Sequence, residues 1–367
     1  MEWDSGMLRI LFIGDNWYGS NARSCAEALR RLGCDVLDID IQTFLPHASL
    51  LTSRVARRLW SFRLVDELNI SILRTAATFR PDIVVAFKGN YIRSGTLKSL
   101  IAGEIPLYNY FPDTSAFNHG KWLPQSLPLY DCIFYTKPFW YADVAKKLHL
   151  KAGSFLPHGY DRELHRPVEL DARDITDYGC DVSFIANHSR YKESYLEQLI
   201  RLRPRLNLCI WGSGWASRCK STALRKCIKG FPLLGERYTR AIQCSLVNLA
   251  LMNGPVAGAS SADLTTSRSY TIPASGGFML HERNSEILDL YKEDEEIACF
   301  DTVEELAESI DYYLAHSVER ENIARRGHAR CVPAYSYDNR MAEMLRWHFK
   351  HHGTGNLQMA PAEVEAS

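Results

Sequence analysis

Short runs of apolar, strand-favouring residues recur along this chain, and each is followed by a stretch with helical spacing. Few architectures accommodate that alternation. Leu8 to Ile13 is such a run, broken at Gly14. From Asn21 to about Leu32, the residues Ala22, Cys25, Ala26 and Leu29 then share one helical face. Asp35 to Ile41, Pro81 to Phe87, Ile105 to Tyr110 and Cys132 to Tyr135 read as further strands. The pattern restarts with Val182 to Ala186, Leu206 to Trp211 and Leu246 to Leu251, with helices such as Tyr191 to Leu202 between them. Strands separated by helices predict parallel, doubly wound sheets, so the fold class is α/β.

At 367 residues the chain is long for one domain and comfortable for two. Pro157 and Pro167 bracket a polar connector where the first set of strands gives way to the second. The expected organisation is a first Rossmann-like domain over residues 1–156 and a second over 157–335. A helix over 336–351 and a small, polar tail from 352 to 367, expected to be disordered, complete the chain. Net charge is zero, so no global field argues for nucleic acid. The ten cysteines are scattered, with no Cys-x-x-Cys and no zinc-type spacing. They read as reduced thiols of a cytoplasmic protein, and no segment reaches the length of a membrane span. Arg54, Arg57 and Arg58 flank an apolar stripe of Val55, Leu59 and Phe62, a pattern suited to an anionic lipid surface or to an ordinary domain exterior. Peripheral contact with the inner face of a membrane is therefore kept as an expectation.

The segment from Arg268 to Glu282 carries the most chemistry. Gly276 and Gly277 let backbone approach a ligand closely. If they open a helix, their amides and that of Phe278 suit a phosphate. Arg268 can add charge-assisted bonds to the same anion, and Glu282 has the acceptors to hold a ribose diol. A strand–helix turn with Arg268 and Glu282 merely solvated satisfies the same spacing.

This segment resembles the nucleotide-sugar site of two-domain GT-B glycosyltransferases, in particular the group related to spore-protein (CgeB-like) glycosyltransferases. Gly277, Phe278 and Glu282 fall where the superfamily's Glu-x7-Glu motif has its phosphate-facing Gly, the following residue and its ribose-binding Glu. Ala274 stands in place of the first Glu of that motif. The connector from Pro157 to Asp161 also resembles the GT-B interdomain linker. The resemblance implies two Rossmann-like domains facing across a cleft, with a final helix crossing back to the first. It implies a hexosyltransferase-type enzyme that moves a sugar from a nucleotide diphosphate donor to a glycan, lipid-linked or small-molecule acceptor, with no cofactor and no metal. Arg190 and Lys192 sit in the loop that carries basic residues onto the donor diphosphate in related enzymes.

In the first half, the loop after the opening strand holds Asp15, Trp17 and Tyr18, and lacks the dinucleotide glycine fingerprint and the P-loop lysine. The resemblance places it, with Lys88 and Asn90, on the cleft and acceptor side. Asp113 and His119 lie on a polar loop after another strand, where either could deprotonate an acceptor hydroxyl; Asp113 is favoured because a carboxylate is ionised at neutral pH without tuning. Asp38 and Asp40 match a metal-binding Asp-x-Asp only superficially and are rejected as a metal site. Nucleotide-sugar 2-epimerases share the fold and remain an alternative, as does a non-catalytic nucleotide-sugar-binding protein.

Overall fold

A computed structural model describes residues 7–44 and 54–353, with backbone alone for 54–61. It divides into two compact units, residues 1–157 with 338–367, and residues 158–337. The calls on the tail and on the side chains of Arg54, Val55, Arg57, Arg58 and Leu59 lie outside the described residues.

The first unit alternates β1 (Arg9–Gly14), α1 (Asn21–Arg31), β2 (Asp35–Asp40), α2 (Arg54–Phe79), β3 (Ile83–Phe87), α3 (Ser94–Ile101) and β4 (Leu107–Phe111). It continues through α4 (Trp122–Ser126), β5 (Cys132–Tyr135), α5 (Trp140–Leu148) and β6 (Gly153–Phe155). The six strands form one parallel sheet in the order β2-β1-β3-β4-β5-β6. Ile83, Val84, Val85 and Ala86 are all buried, as a strand covered on both faces demands. Ser20 caps α1 by accepting from the Arg23 amide at 3.1 Å, and Ala22, Cys25, Ala26 and Leu29 pack inward.

The second unit holds α6 (Ala172–Tyr178), β7 (Cys180–Ile185), α7 (Arg190–Leu202), β8 (Leu208–Trp211), α8 (Trp215–Arg218), β9 (Ile228–Gly230) and α9 (Glu236–Cys244). It goes on with β10 (Ser245–Ala250), α10 (Arg268–Ala274), β11 (Met279–Glu282), α11 (Ser285–Leu290), β12 (Ala298–Phe300), α12 (Val303–Ala315) and α13 (Ser317–Cys331). Its sheet is also parallel and six-stranded, ordered β12-β11-β10-β7-β8-β9. Val182, Phe184, Leu249 and Leu280 of the strands meet Leu196 and Leu199 of α7 and Leu306 and Ile310 of α12 in one core.

The last helix, α14 (Tyr337–His352), rejoins the first unit from Asp338 onward. Asp338 takes a two-pronged hydrogen bond from Arg31 at 2.7 and 2.8 Å. Trp347 meets Tyr108 edge-on at 5.4 Å, and the Tyr108 hydroxyl lies 2.8 Å from Nδ1 of the buried His348. All ten cysteines are free thiols. Among the described residues no helix is long and apolar enough to cross a membrane.

Candidate active site

Open parallel sheets bind ligands outside the carboxyl ends of their strands, where the strand order reverses. In the first unit that point lies between β1 and β3, and in the second between β7 and β10. Most of the sequence-derived candidates sit on these two edges, each within its own unit.

In the first unit the loop after β3 makes a tight turn in which Lys88 and Gly89 both have positive φ, 67° and 75°. For lysine this is a strained conformation. A Cβ on Gly89 would come within 2.9 Å of both Asn109 Nδ2 and the Tyr130 hydroxyl, so only glycine fits there. The turn aims Lys88 at the loop after β4, where its Nζ lies 2.7 Å from Asp113 Oδ2. Nε2 of His119 approaches the same oxygen at 3.1 Å. Burial pushes the Asp113 carboxyl up, but His119 and the charge of Lys88 outweigh it and hold the group well below the usual carboxylate range. A carboxylate so stabilised is a poor base. It is well placed to orient His119 instead, leaving Nδ1 of that ring without a hydrogen-bond partner among the described residues.

Asp15 stands close enough to feel Lys88. Burial, and secondly the charge of Asp40, raise its carboxyl above the ordinary value. Trp17 and Tyr18 on the same loop are 38% and 51% exposed, two rings open to a ligand. Asn90 follows the strained turn and is half-buried. Asp38 is held by Arg30 at 2.6 Å, while Asp40 accepts from the amides of Asn16 and Gln42. Among the described residues no group of three or more His, Cys, Asp or Glu side chains is arranged to hold a metal ion.

In the second unit the turn after β7 is locked by its neighbour after β8. The His188 amide donates to Ser213 O at 2.9 Å, and the Trp215 indole donates to Ala186 O at 2.7 Å. Gly212, at φ 144°, is obligatory because a Cβ would lie 2.0 Å from Ala186 O. The turn of Gly212, Ser213 and Gly214 is thus packing in the first place. Ser189 caps α7, which presents Arg190 and Lys192 very differently. Arg190 is 66% exposed and pairs with Glu193 at 2.9 Å. Burial raises the Glu193 carboxyl, yet bonds from His188, from the Lys220 and Ser221 amides and from Arg190 bring it down to about 2.

Lys192 is buried, 3% exposed, and among the described residues its Nζ reaches only Asn187 O, at 3.3 Å. Burial, and next the charge of Arg268, push its ammonium down to about 7, partly offset by Asp263. Arg268 opens α10, donates to Leu251 O at 2.6 Å and lies 5.7 Å over the Phe184 ring, with no hydrogen-bond partner for Nε among the described residues. Neither cation forms an ion pair with a carboxylate among the described residues. Beside them Glu282, at the carboxyl end of β11, accepts from the Met252 amide at 3.0 Å and from the Tyr191 hydroxyl at 2.9 Å. Tyr191 and the loop after β10 are therefore part of this edge. Sequence reasoning passed over them, although Tyr191 adjoins the Arg190–Lys192 pair that it singled out.

The expected phosphate cradle at Gly276, Gly277 and Phe278 is not formed. These residues close α10 rather than open a helix, and they precede β11, at the far end of the strand from Glu282. Gly276 takes φ 80° at the helix exit. A Cβ on Gly277 would lie 2.3 Å from Ile242 Cγ2 and 2.7 Å from Asn248 Nδ2, and Phe278 is 3% exposed against Tyr313. Their role is close packing.

Residues 190–346 match the profile of a family described as glycosyl transferase-like. The match covers less than half of the chain. It begins at the α7 turn and includes Lys192, Arg268 and Glu282. Over the whole chain the fold is GT-B. Sucrose-phosphate synthase from Thermosynechococcus elongatus superposes with TM-score 0.65 at 11% identity, covering 94% of this chain and 99% of that one. HepE from Anabaena, in complex with UDP-glucose, gives 0.63 at 13%, covering 93% and 100%. UDP-GlcNAc 2-epimerase from Neisseria meningitidis, bound to UDP-GlcNAc, gives 0.52 at 11%, covering 94% and 100%. No curated protein sequence matches this chain significantly.

Proposed function

We propose that this protein is a glycosyltransferase that moves a sugar from a nucleoside diphosphate donor to an acceptor hydroxyl, in the cytoplasm and without a metal ion. The observation that carries this reading is the buried Lys192 beside Arg268, two cations at the carboxyl edge of a parallel sheet with no ion-paired carboxylate among the described residues. Burying two like charges side by side is costly, Asp263 offsets only part of that cost, and a diphosphate supplies further negative charge. Both cations would stabilise the negative charge that develops on the leaving diphosphate. Glu282, Tyr191 and the Met252 amide form the adjoining polar wall for the ribose. HepE holds UDP-glucose on the same fold, which makes uridine diphosphate sugars the first donors to test.

In the first unit, His119 serves as base and Asp113 as its orienting partner, reversing the preference drawn from sequence. With Nε2 turned to Asp113, the Nδ1 lone pair is available. The acceptor oxygen bonds to the anomeric carbon as the carbon–oxygen bond to the diphosphate breaks, and the acceptor proton passes to Nδ1. Such a mechanism inverts the anomeric configuration. Mass spectrometry on a panel of uridine, guanosine, adenosine and thymidine diphosphate sugars tests the reading: free nucleoside diphosphate must appear together with a glycosylated acceptor. Conversion of the donor sugar with no acceptor and no released nucleotide would instead establish an epimerase.

A further inference from the structure

A pocket with a volume of about 510 Å³ opens on the first unit, lined in part by Phe62, Arg93, Lys121 and Trp122. Phe62 of α2 and Trp122 of α4 form an aromatic corner, their rings 5.7 Å apart and perpendicular. Arg93, just before α3, sits 5.4 Å over the Trp122 ring and pairs with Asp66. Buried Asn69 fixes this arrangement: its side-chain oxygen accepts from the Arg93 amide at 2.9 Å and from the Thr96 hydroxyl at 2.7 Å. Asp66 neutralises Arg93, so the excess charge of the pocket is that of Lys121. Its Nζ lies 5.1 Å from the Phe62 ring and 5.7 Å from the Trp122 ring, with no carboxylate partner among the described residues.

We infer that this pocket binds the acceptor, and that the acceptor is a sugar bearing a phosphate or carboxylate group. An aromatic corner suits the apolar face of a sugar ring, and a cation held over that corner suits an anion attached to the ring. Lys121 follows His119 by two residues, so their Cα atoms are at most about 7 Å apart. The inference rests on the transferase reading for the word acceptor, but the pocket's ligand chemistry can be measured independently.

The experiment is calorimetry on the full chain with glucose 6-phosphate, glucuronate, glucose and inorganic phosphate, with UDP titrated separately. At least one acidic sugar should bind tenfold or more tighter than glucose and than inorganic phosphate. Glucose 6-phosphate alone would identify a phosphate, glucuronate alone a carboxylate. Lys121→Gln, at an exposed position, should abolish that preference and leave UDP affinity unchanged, while Lys121→Arg should retain it. Glucose or inorganic phosphate binding as tightly as both acidic sugars, or a preference that survives Lys121→Gln, overturns the inference. A chain that binds acidic sugars but no nucleotide keeps the pocket and sinks the transferase reading. One that binds nucleotide but neither acidic sugar sinks the pocket alone.

Discussion

If Lys192 completes a diphosphate site, donor binding must be linked to its protonation. In the free protein burial and the charge of Arg268 hold its ammonium at about 7. At pH 7 roughly half of the molecules carry the charge, and at pH 9 roughly one in a hundred. A bound diphosphate favours the charged form and raises the group again. Affinity is then full below pH 7 and lost as pH rises, by up to about 50-fold between pH 7 and 9, or about 2.3 kcal/mol. The phosphates of UDP titrate near 6 and add little in this window. Calorimetry in buffers of different ionisation enthalpy should show uptake approaching one proton at pH 8. Lys192→Gln should bind weakly at every pH, with a flat profile. The same depressed group has the opposite effect on the empty fold. Between about 7 and 10.5 the unfolded chain holds the extra proton, so this residue adds stability as pH rises through that window. A wild-type affinity that stays level from pH 7 to 9, or falls equally in the variant, refutes Lys192 as a phosphate ligand.

Three further outcomes follow from the geometry. His119→Ala should lower turnover by about 10² to 10⁴ with UDP affinity unchanged, and Asp113→Asn should shift the pH profile of kcat; unchanged steady-state kinetics in both would remove the base from this loop. Gly277→Ala puts a Cβ 2.3 Å from Ile242, and chemical denaturation should register a loss of about 1–3 kcal/mol, with UDP affinity of the folded protein intact. Turnover should survive EDTA, since Lys192 and Arg268 supply the positive charge; activity lost to EDTA and restored by magnesium or manganese would count against that assignment.

Long apolar strands were legible because burial on both faces leaves a continuous hydrophobic run. Cys132 to Tyr135 was read at its observed bounds, and the other strands singled out from the sequence lie within two residues of theirs. Of the four strands not singled out, β11 among them, three left no such signal. Gly153–Phe155, Ile228–Gly230 and Ala298–Phe300 are three residues each and sit at sheet edges, too short to show a period. The site was legible in part. Lys192 and Arg268 declare themselves as cations next to strand ends, but sequence cannot show that one is buried and its neighbour Arg190 exposed. The glycine pair misled because its composition is the same whether it opens a helix or closes one. Only the position of α10 before it, running from Arg268 to Ala274, decides the matter. The preference for Asp113 over His119 failed to foresee Lys88, which the strained turn after β3 delivers from a distant position in sequence.

The return of α14 to the first unit has a consequence for synthesis. The stretch from His158 to Tyr337 is continuous and can complete its fold as it leaves the ribosome. The first unit cannot, although its strands emerge earlier. Tyr108 and Phe134 wait for Trp347 and His348, some two hundred residues later in the chain. Nascent chains halted before α14 should therefore expose those aromatic rings to solvent and to chaperones. A premature stop between Tyr337 and Trp347 would disable the half of the protein that was made first.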